Sequence, residues 1–176
     1  AEKIDPDIDE LLYPNGGRDK TKAITIKLDP NEALHIYKEK DNSSRVVLGP
    51  DLIMLEYDEH ITRNVLSGKT PKEEGVIKTL KIKLGPDFMT DIFKVETSNN
   101  AKMRINLSYT WHFEYDKNSQ ESLKKIFNVR DFVGDTCREL KSKVVAEVAG
   151  KTLDEFHKNS ARIIRASIMG MDHGKI

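Results

Sequence analysis

Cysteine is nearly absent from this sequence, whose 176 residues include a single thiol at Cys137. One cysteine cannot form an intrachain disulfide, and no second one stands at the spacing of a zinc site. This excludes a disulfide-stabilised scaffold and favours a reducing compartment. Because Cys137 falls within the apolar stripe of a predicted helix, we expect a small core residue and not a nucleophile.

Long hydrophobic runs are also absent. No apolar stretch approaches the roughly 20 residues that a helix needs to cross a bilayer, and no signal peptide is recognisable at the start. Hydrophobic residues make up 38% of the chain and charged residues 33%, which is the balance of a soluble globular domain. We therefore expect a cytoplasmic chain. Membrane or lipid contact stays open but has no support in the sequence.

The third absence is an excess of either charge sign. Lys and Arg together number 29, as do Asp and Glu, so the formal net charge is zero. A dedicated nucleic-acid-binding domain normally carries a basic excess. No direct contact with nucleic acid is therefore predicted for this chain.

Motifs for catalysis and cofactor binding are missing as well. Gly68-Lys69-Thr70 looks like the end of a phosphate-binding loop, but the first glycine of that motif would stand at Arg63. No GxSxG elbow occurs. No histidine stands at HExxH spacing or in another metal-ligand pair; the five are His35, His60, His112, His157 and His173. We predict no enzyme activity and no cofactor.

A calcium site is excluded by the same comparison of spacing. Asp5, Asp7 and Asp9 match the first ligand positions of a calcium-binding loop, but Glu10 stands where the turn glycine is needed and Gly16 where the closing Glu is needed. We interpret residues 1–20 as a flexible arm or linker and predict no metal site.

The most informative stretch that is present runs from Lys102 to Phe113. Apolar and polar residues alternate over its twelve positions, which predicts one long strand with an apolar and a polar face. Such a split is typical of an antiparallel sheet with one covered face. The apolar side consists of Met103, Ile105, Leu107, Tyr109, Trp111 and Phe113.

Shorter strands precede this stretch and helices follow it. The predicted strands are Ala23–Leu28, Ala33–Lys38, Arg45–Leu48, Leu52–Leu55, Ile61–Leu66, Val76–Leu84 and Ile92–Glu96, with a loop at Ser67–Gly75. The period then changes to 3.6, and helices are predicted from Asn118 to Phe127, from Val129 to Ala149, and from the capping box of Thr152 and Glu155 to Gly170. This order predicts an α+β fold, an antiparallel β-sheet with C-terminal α-helices packed on one face.

The polar face of the long strand is the candidate functional surface. Its side chains are compatible with water and with another polar surface, so the face is either solvated or in contact with other subunits. The candidates for subunit contacts are Lys102, Arg104, Asn106, Thr110 and His112. Lysines at positions 78, 81 and 83 extend the same basic character. A nucleic-acid platform would need aromatics among these cations, and the aromatics of the strand point to its other face.

Four motifs in order resemble the shoulder domain of the major vault protein family. They are Leu84–Thr97 (LGPDFMTDIFKVET), Leu107–Glu114 (LSYTWHFE), Phe132–Cys137 (FVGDTC) and Phe156–Arg165 (FHKNSARIIR). A broader likeness, to the band 7 domain of stomatin, prohibitin and flotillin, lies in Arg45–Leu52, the hairpin strand and Lys151–Phe156.

The resemblance implies a band 7-like fold and a structural role. By resemblance, residues 21–170 would be a shoulder domain and residues 171–176 the start of a cap helix. The implied partners are neighbouring copies of the same subunit in a large homo-oligomer, the cytoplasmic vault ribonucleoprotein particle. The alternative is a lipid-raft-associated scaffold module of band 7 type. That type usually carries a membrane-inserting segment before the domain, and this sequence has none.

Overall fold

Ten strands and four helices make up the fold in a computed structural model, which describes residues 6–14, 16, 19 and 21–170. In chain order they are α1 (Pro6–Leu12), β1 (Thr25–Leu28), β2 (Glu32–Lys38), β3 (Ser43–Leu48), β4 (Asp51–Met54), β5 (Glu59–Ile61), β6 (Asn64–Gly68), β7 (Glu73–Thr79), β8 (Lys81–Lys83), β9 (Asp87–Glu96), β10 (Lys102–Trp111), α2 (Gln120–Ile126), α3 (Phe132–Ala149) and α4 (Leu153–Met169). The predicted α+β class is confirmed, with four small sheets in place of one.

The chain divides into two compact units. The first contains the described residues up to Leu66 together with 75–88 and 110–131. The second contains 67–74, 89–109 and the described residues from Phe132 onward.

The first unit is built around β2. This strand pairs antiparallel with β3 along one side, and with β8 and β5 in succession along the other. A separate ribbon joins β1 and β4. Apolar side chains of these strands alternate inward because successive residues of a strand face opposite ways. With Leu80, which lies between β7 and β8, they form the core: Ile26, Leu28, Leu34, Ile36, Ile53, Ile61 and Leu80.

Two copies of the tetrapeptide Leu-Gly-Pro-Asp, at 48–51 and 84–87, sit at close approaches of the backbone. Gly85 has a φ of 83°, and a Cβ there would lie 2.7 Å from the carbonyl oxygen of Trp111. A Cβ on Gly49 would clash with the carbonyl of Asp29. Glycine is therefore required at both positions, and both Gly–Pro bonds are cis.

The second unit is a hairpin of β9 and β10 covered by α3 and α4. Alternate residues of the hairpin pack on the two helices, as the apolar face of the long strand predicts. This core contains Phe93, Val95, Ile105, Val144, Val148 and Phe156. The predicted capping box is confirmed: Thr152 accepts from the backbone of Glu155, and the Glu155 side chain accepts from the backbone of Thr152.

Several predicted boundaries are wrong. The predicted loop at Ser67–Gly75 is mostly strand, because β6 continues to Gly68 and β7 begins at Glu73. The first C-terminal helix is capped by Ser119 and not by Asn118. The next begins at Phe132, three residues later than predicted.

Within the predicted arm, Pro6–Leu12 forms a helix. Its Ile8, Leu11 and Leu12 pack against the core of the first unit. The side chains of Asp5 and Asp7, two of the three rejected calcium ligands, lie outside the described residues, as does the predicted start of a cap helix at 171–176. The domain bounds stay a prediction.

Candidate subunit-contact face

The candidate face is the polar side of β10. Along this strand, the even-numbered residues are exposed and the odd-numbered ones are buried or half-buried, as the alternation predicts. Lys102, Arg104 and Asn106 project from the second unit. Thr110 and His112 are exposed too, but they belong to the first unit. The structure therefore groups the first three candidates on one surface.

The turn between β9 and β10 sets the register of the two strands, and with it the β9 residues that stand opposite the candidates. The backbone N–H of Thr97 donates to the carbonyl of Ala101 at 3.0 Å, and the two strands are ten residues each. This register places Lys94 opposite Arg104. Like charges directly opposite each other on one face of a sheet are destabilising.

No carboxylate forms an ion pair with this cationic pair, although the same register places the exposed Glu96 opposite Lys102. Within the described residues, Lys94, Lys102 and Arg104 take part in no ion pair of the structure, although Lys27, Lys38, Lys81 and Lys83 of other strands do. We call these three residues the cationic face. Two like charges that stand opposite each other without an ion pair are suited to an acidic partner surface.

The turn holds this hairpin against the helices of the same unit. Asn100 adopts a left-handed φ of 61°, which completes a three-residue hairpin turn. The N–H of Ser98 donates to the carbonyl of Lys151 at 2.9 Å, and the N–H of Leu153 donates to Oδ1 of Asn99 at 3.3 Å. Since these bonds fasten the turn to the α3–α4 connection, the cationic face is presented on a fixed support.

The opposite, buried side of the hairpin has polar groups with structural partners. The Tyr109 hydroxyl lies 2.8 Å from Sγ of Cys137 and donates to the sulfur of Met89 at 3.7 Å. Burial, and next the hydrogen bond with Cys137, raises the pKa of Tyr109 above its ordinary value. Tyr109 therefore stays protonated, and Cys137 is buried in the core as predicted.

Asp91 is a buried carboxylate with a similarly structural role. Its Oδ1 accepts from the backbone N–H of Lys72 at 3.1 Å and of Ile92 at 2.9 Å. It thereby anchors the β6–β7 turn to β9. The Gly68-Lys69-Thr70 sequence leads into this turn, where no helix begins, and not into a phosphate-binding helix.

His35 of β2 has a structural role in the first unit. Its Nδ1 lies 2.6 Å from the hydroxyl of Thr62, and its ring stacks on Phe127 with centroids 5.3 Å apart. Burial, followed by the charge of Lys124, lowers the pKa of His35. This histidine is a packed, hydrogen-bonded residue of the sheet.

The described part of the chain contains neither a metal-binding cluster nor a membrane-spanning helix. No group of three or more His, Cys, Asp or Glu side chains there is arranged to hold a metal ion. No helix there is both long and apolar enough to span a membrane.

Comparison with known proteins supplies the family. A family model described as the shoulder domain matches residues 85–175, and one described as the major vault protein repeat domain matches residues 23–84. The chain belongs to the major vault protein family. The boundary between the two vault matches falls within the second Leu-Gly-Pro-Asp motif, next to Gly85.

Vault relatives from distant organisms agree with this assignment. The chain is 47% identical over 165 residues to major vault protein alpha of Dictyostelium discoideum, covering 93% of this chain and 20% of that protein. It is 40% identical over 164 residues to the major vault protein of Mus musculus (93% and 19%) and 39% identical over 173 residues to that of Homo sapiens (98% and 19%). The chain thus spans about a fifth of the length of these vault proteins. The broader band 7 relationship has no support among these matches.

Two features of the vault chain escaped the sequence reasoning. One is the position of Lys94 opposite Arg104, which the length of the turn between the two strands would have indicated. Gln120 was not singled out at all. Its side-chain amide bonds both backbone groups of Val46, accepting from N–H at 2.9 Å and donating to C=O at 3.1 Å. Nothing in the local sequence signals a contact 74 residues apart.

Proposed function

We propose that this chain is a non-catalytic structural segment of a subunit that assembles with copies of itself into the cytoplasmic vault particle. The observation that carries the proposal is the pair of family matches, which together extend from residue 23 to residue 175. The half-buried Tyr109 and the buried Cys137 and Asp91 have structural partners, which fits a role without catalysis.

In this proposal, the cationic face contacts an acidic surface of a neighbouring copy. Its support is that Lys94 and Arg104 stand opposite each other without an ion pair, and that hydrogen bonds fix the turn at the end of the hairpin. Lateral contacts between repeated copies are individually weak and gain strength by multivalency. The isolated chain is therefore expected to be monomeric at low concentration while the parent polypeptide assembles.

Sedimentation of the full-length parent, expressed alone, tests the proposal and the role of the face. The wild-type parent is expected to sediment as one large species. Lys102→Glu combined with Arg104→Glu is expected to lower the yield of that species, because it replaces attraction to an acidic partner by repulsion.

The matched control is Lys158→Glu with Arg162→Glu, which reverses two exposed charges on α4 of the same unit. Its yield should equal that of the wild type. Equal yields for both double variants would remove the cationic face from the interface. A wild-type parent that sediments only as small oligomers would overturn the assembly function itself.

A further inference from the structure

Strand β3 lies at the edge of its sheet. Among the strands that the structure describes, only β2 pairs with it. The N–H of Thr62 donates to the carbonyl of His35 at 3.0 Å, so the backbone groups of His35 face the β5 side of β2. In an antiparallel pair the groups of its partner on β3, Val46, then face outward. Ser44 and Leu48 face outward as well, because strand residues alternate with a period of two.

Helix α2 occupies this outward edge. The side-chain amide of Gln120, the first residue of the helix, makes the two hydrogen bonds to Val46 that a residue of a neighbouring strand would make. Phe127, directly after the helix, stacks on His35, the cross-strand neighbour of Val46. Leu123 of the helix is buried. The helix therefore contacts both the edge of β3 and a face of the same sheet.

Strand β3 has little other protection against pairing with a further strand. Edge strands commonly carry charged side chains or proline, which oppose such pairing. The six residues of β3 (SSRVVL) include one charge, Arg45, and no proline. The guanidinium of Arg45 donates to both carboxylate oxygens of Glu59, at 3.0 Å each, so its charge is compensated within the sheet. Protection of this edge depends on α2.

The strand and the helix come from different family matches. Strand β3 lies in the match to the repeat domain, and α2 lies in the match to the shoulder domain. Both belong to the first unit. The shoulder sequence thus contributes the helix that closes the edge of a sheet made by the repeat sequence.

We propose that α2 covers the β3 edge and thereby keeps separate copies of the chain from pairing strand to strand. When the helix detaches, β3 of one copy pairs antiparallel with β3 of a second copy. A register centred on Val46 places Val46 opposite itself and Ser44 opposite Leu48. Arg45 then lies opposite Val47, so no like charges meet, and the β-branched pair at the centre is favourable. This inference goes beyond the assembly function and does not depend on it.

Sedimentation equilibrium of the 176-residue chain tests the cover. Gln120→Ala removes both bonds to Val46 and leaves β3 unchanged, which is expected to raise the ratio of detached to docked helix roughly 5–30-fold. Because both copies must be open, the dimerisation constant rises with the square of that ratio, by at least about 25-fold. Unchanged dimerisation of Gln120→Ala would overturn the proposal.

Two further variants separate edge pairing from general destabilisation. Ile53→Val shortens a core side chain of β4 and leaves α2 and β3 intact; its dimerisation should equal that of the wild type. Ser44→Pro removes an outward N–H at a sheet edge, where proline is tolerated, and should return Gln120→Ala to the wild-type level. Equal dimerisation of Ile53→Val and Gln120→Ala, or dimerisation that persists with Ser44→Pro, would contradict pairing through this edge.

Disulfide crosslinking tests the register. Chains carrying Ser44→Cys are mixed with chains carrying Leu48→Cys under mild oxidation, either with Gln120 or with Gln120→Ala; the native Cys137 is buried. In the proposed register the two Cα atoms lie about 5.5 Å apart, within the range of a disulfide. We expect several times more Ser44→Cys/Leu48→Cys heterodimer with Gln120→Ala than with Gln120. Equal yields with both, or a predominant Ser44→Cys homodimer, would overturn the proposal.

Discussion

Replacement of Gln120 by Ala should destabilise the first unit, because the Gln120 side chain makes hydrogen bonds to the edge of β3 that a neighbouring β-strand would otherwise make. The amide of Gln120 accepts from the N–H of Val46 at 2.9 Å and donates to its C=O at 3.1 Å. Both backbone groups lie on the edge of β3 that faces away from β2. Because Val46 is only 3% exposed, they lose their partners when the amide is removed.

The magnitude follows from two neutral hydrogen bonds. Each contributes about 1 kcal/mol net, and Gln120 itself is exposed, so water replaces part of the loss. We expect a decrease of about 1–2 kcal/mol in the free energy of unfolding. For a chain of this length, that corresponds to roughly 2–8 °C in Tm. Helix propensity contributes little, because Ala and Gln are both good helix formers.

Urea denaturation gives the free energy, and hydrogen exchange at the Val46 amide gives the local effect. Glu121→Gln, an exposed change in the same helical turn, is the control and should stay within about 0.5 kcal/mol of the wild type. Gln120→Glu adds a second test, because its carboxylate retains the acceptor but faces the Val46 carbonyl with a second oxygen. The difference in the free energy of unfolding between Gln120→Glu and the wild type should decrease as the pH falls and that carboxylate becomes protonated. Unchanged protection of the Val46 amide in Gln120→Ala would refute the reasoning.

Two further predictions concern pH. The hydrogen bonds from Arg45, at 3.0 Å to each oxygen, lower the pKa of Glu59, so Glu59→Gln should cost about 1.5–3 kcal/mol at pH 7. That difference should be present above the ordinary carboxyl pKa of 4.5 and disappear as the pH falls below it; a constant difference in urea titrations down to acidic pH would contradict this. The pKa of His35 is lowered by burial and Lys124. Below its ordinary pKa of 6.5 the unfolded chain therefore binds a proton that the folded chain does not, so stability should decrease with falling pH, and His35→Gln should reduce that slope in thermal melts.

Much of the second unit could be predicted from the sequence, because its signals are local and strong. The alternation from Lys102 onward sets the exposed and covered faces of β10, and the capping box at Thr152 sets the start of α4. The candidate face could be predicted for the same reason. The pairing of Lys94 with Arg104 could be predicted only from the register of β9 and β10. That register depends on the three-residue turn that ends at Asn100.

The errors arose where local composition and burial disagree. Pro71 and the charged residues around it are typical of a loop, yet β6 continues through Ser67 and Gly68 because both are buried. The helix at Pro6–Leu12 lies in a stretch whose acids and turn residues are typical of a linker. The bonds from Gln120 to Val46 depend on tertiary structure, since 74 residues separate the two positions, and no local pattern predicts them.

Electron microscopy of the full-length parent, expressed alone and negatively stained, tests the structural role most directly. A peptide tag inserted at the exposed turn residue Asn42 and decorated with an antibody fragment would locate this segment. We expect closed particles built from many copies, with the label in a ring on the particle wall. Particles that form without this segment, or a parent found only as small or membrane-bound oligomers, would contradict it.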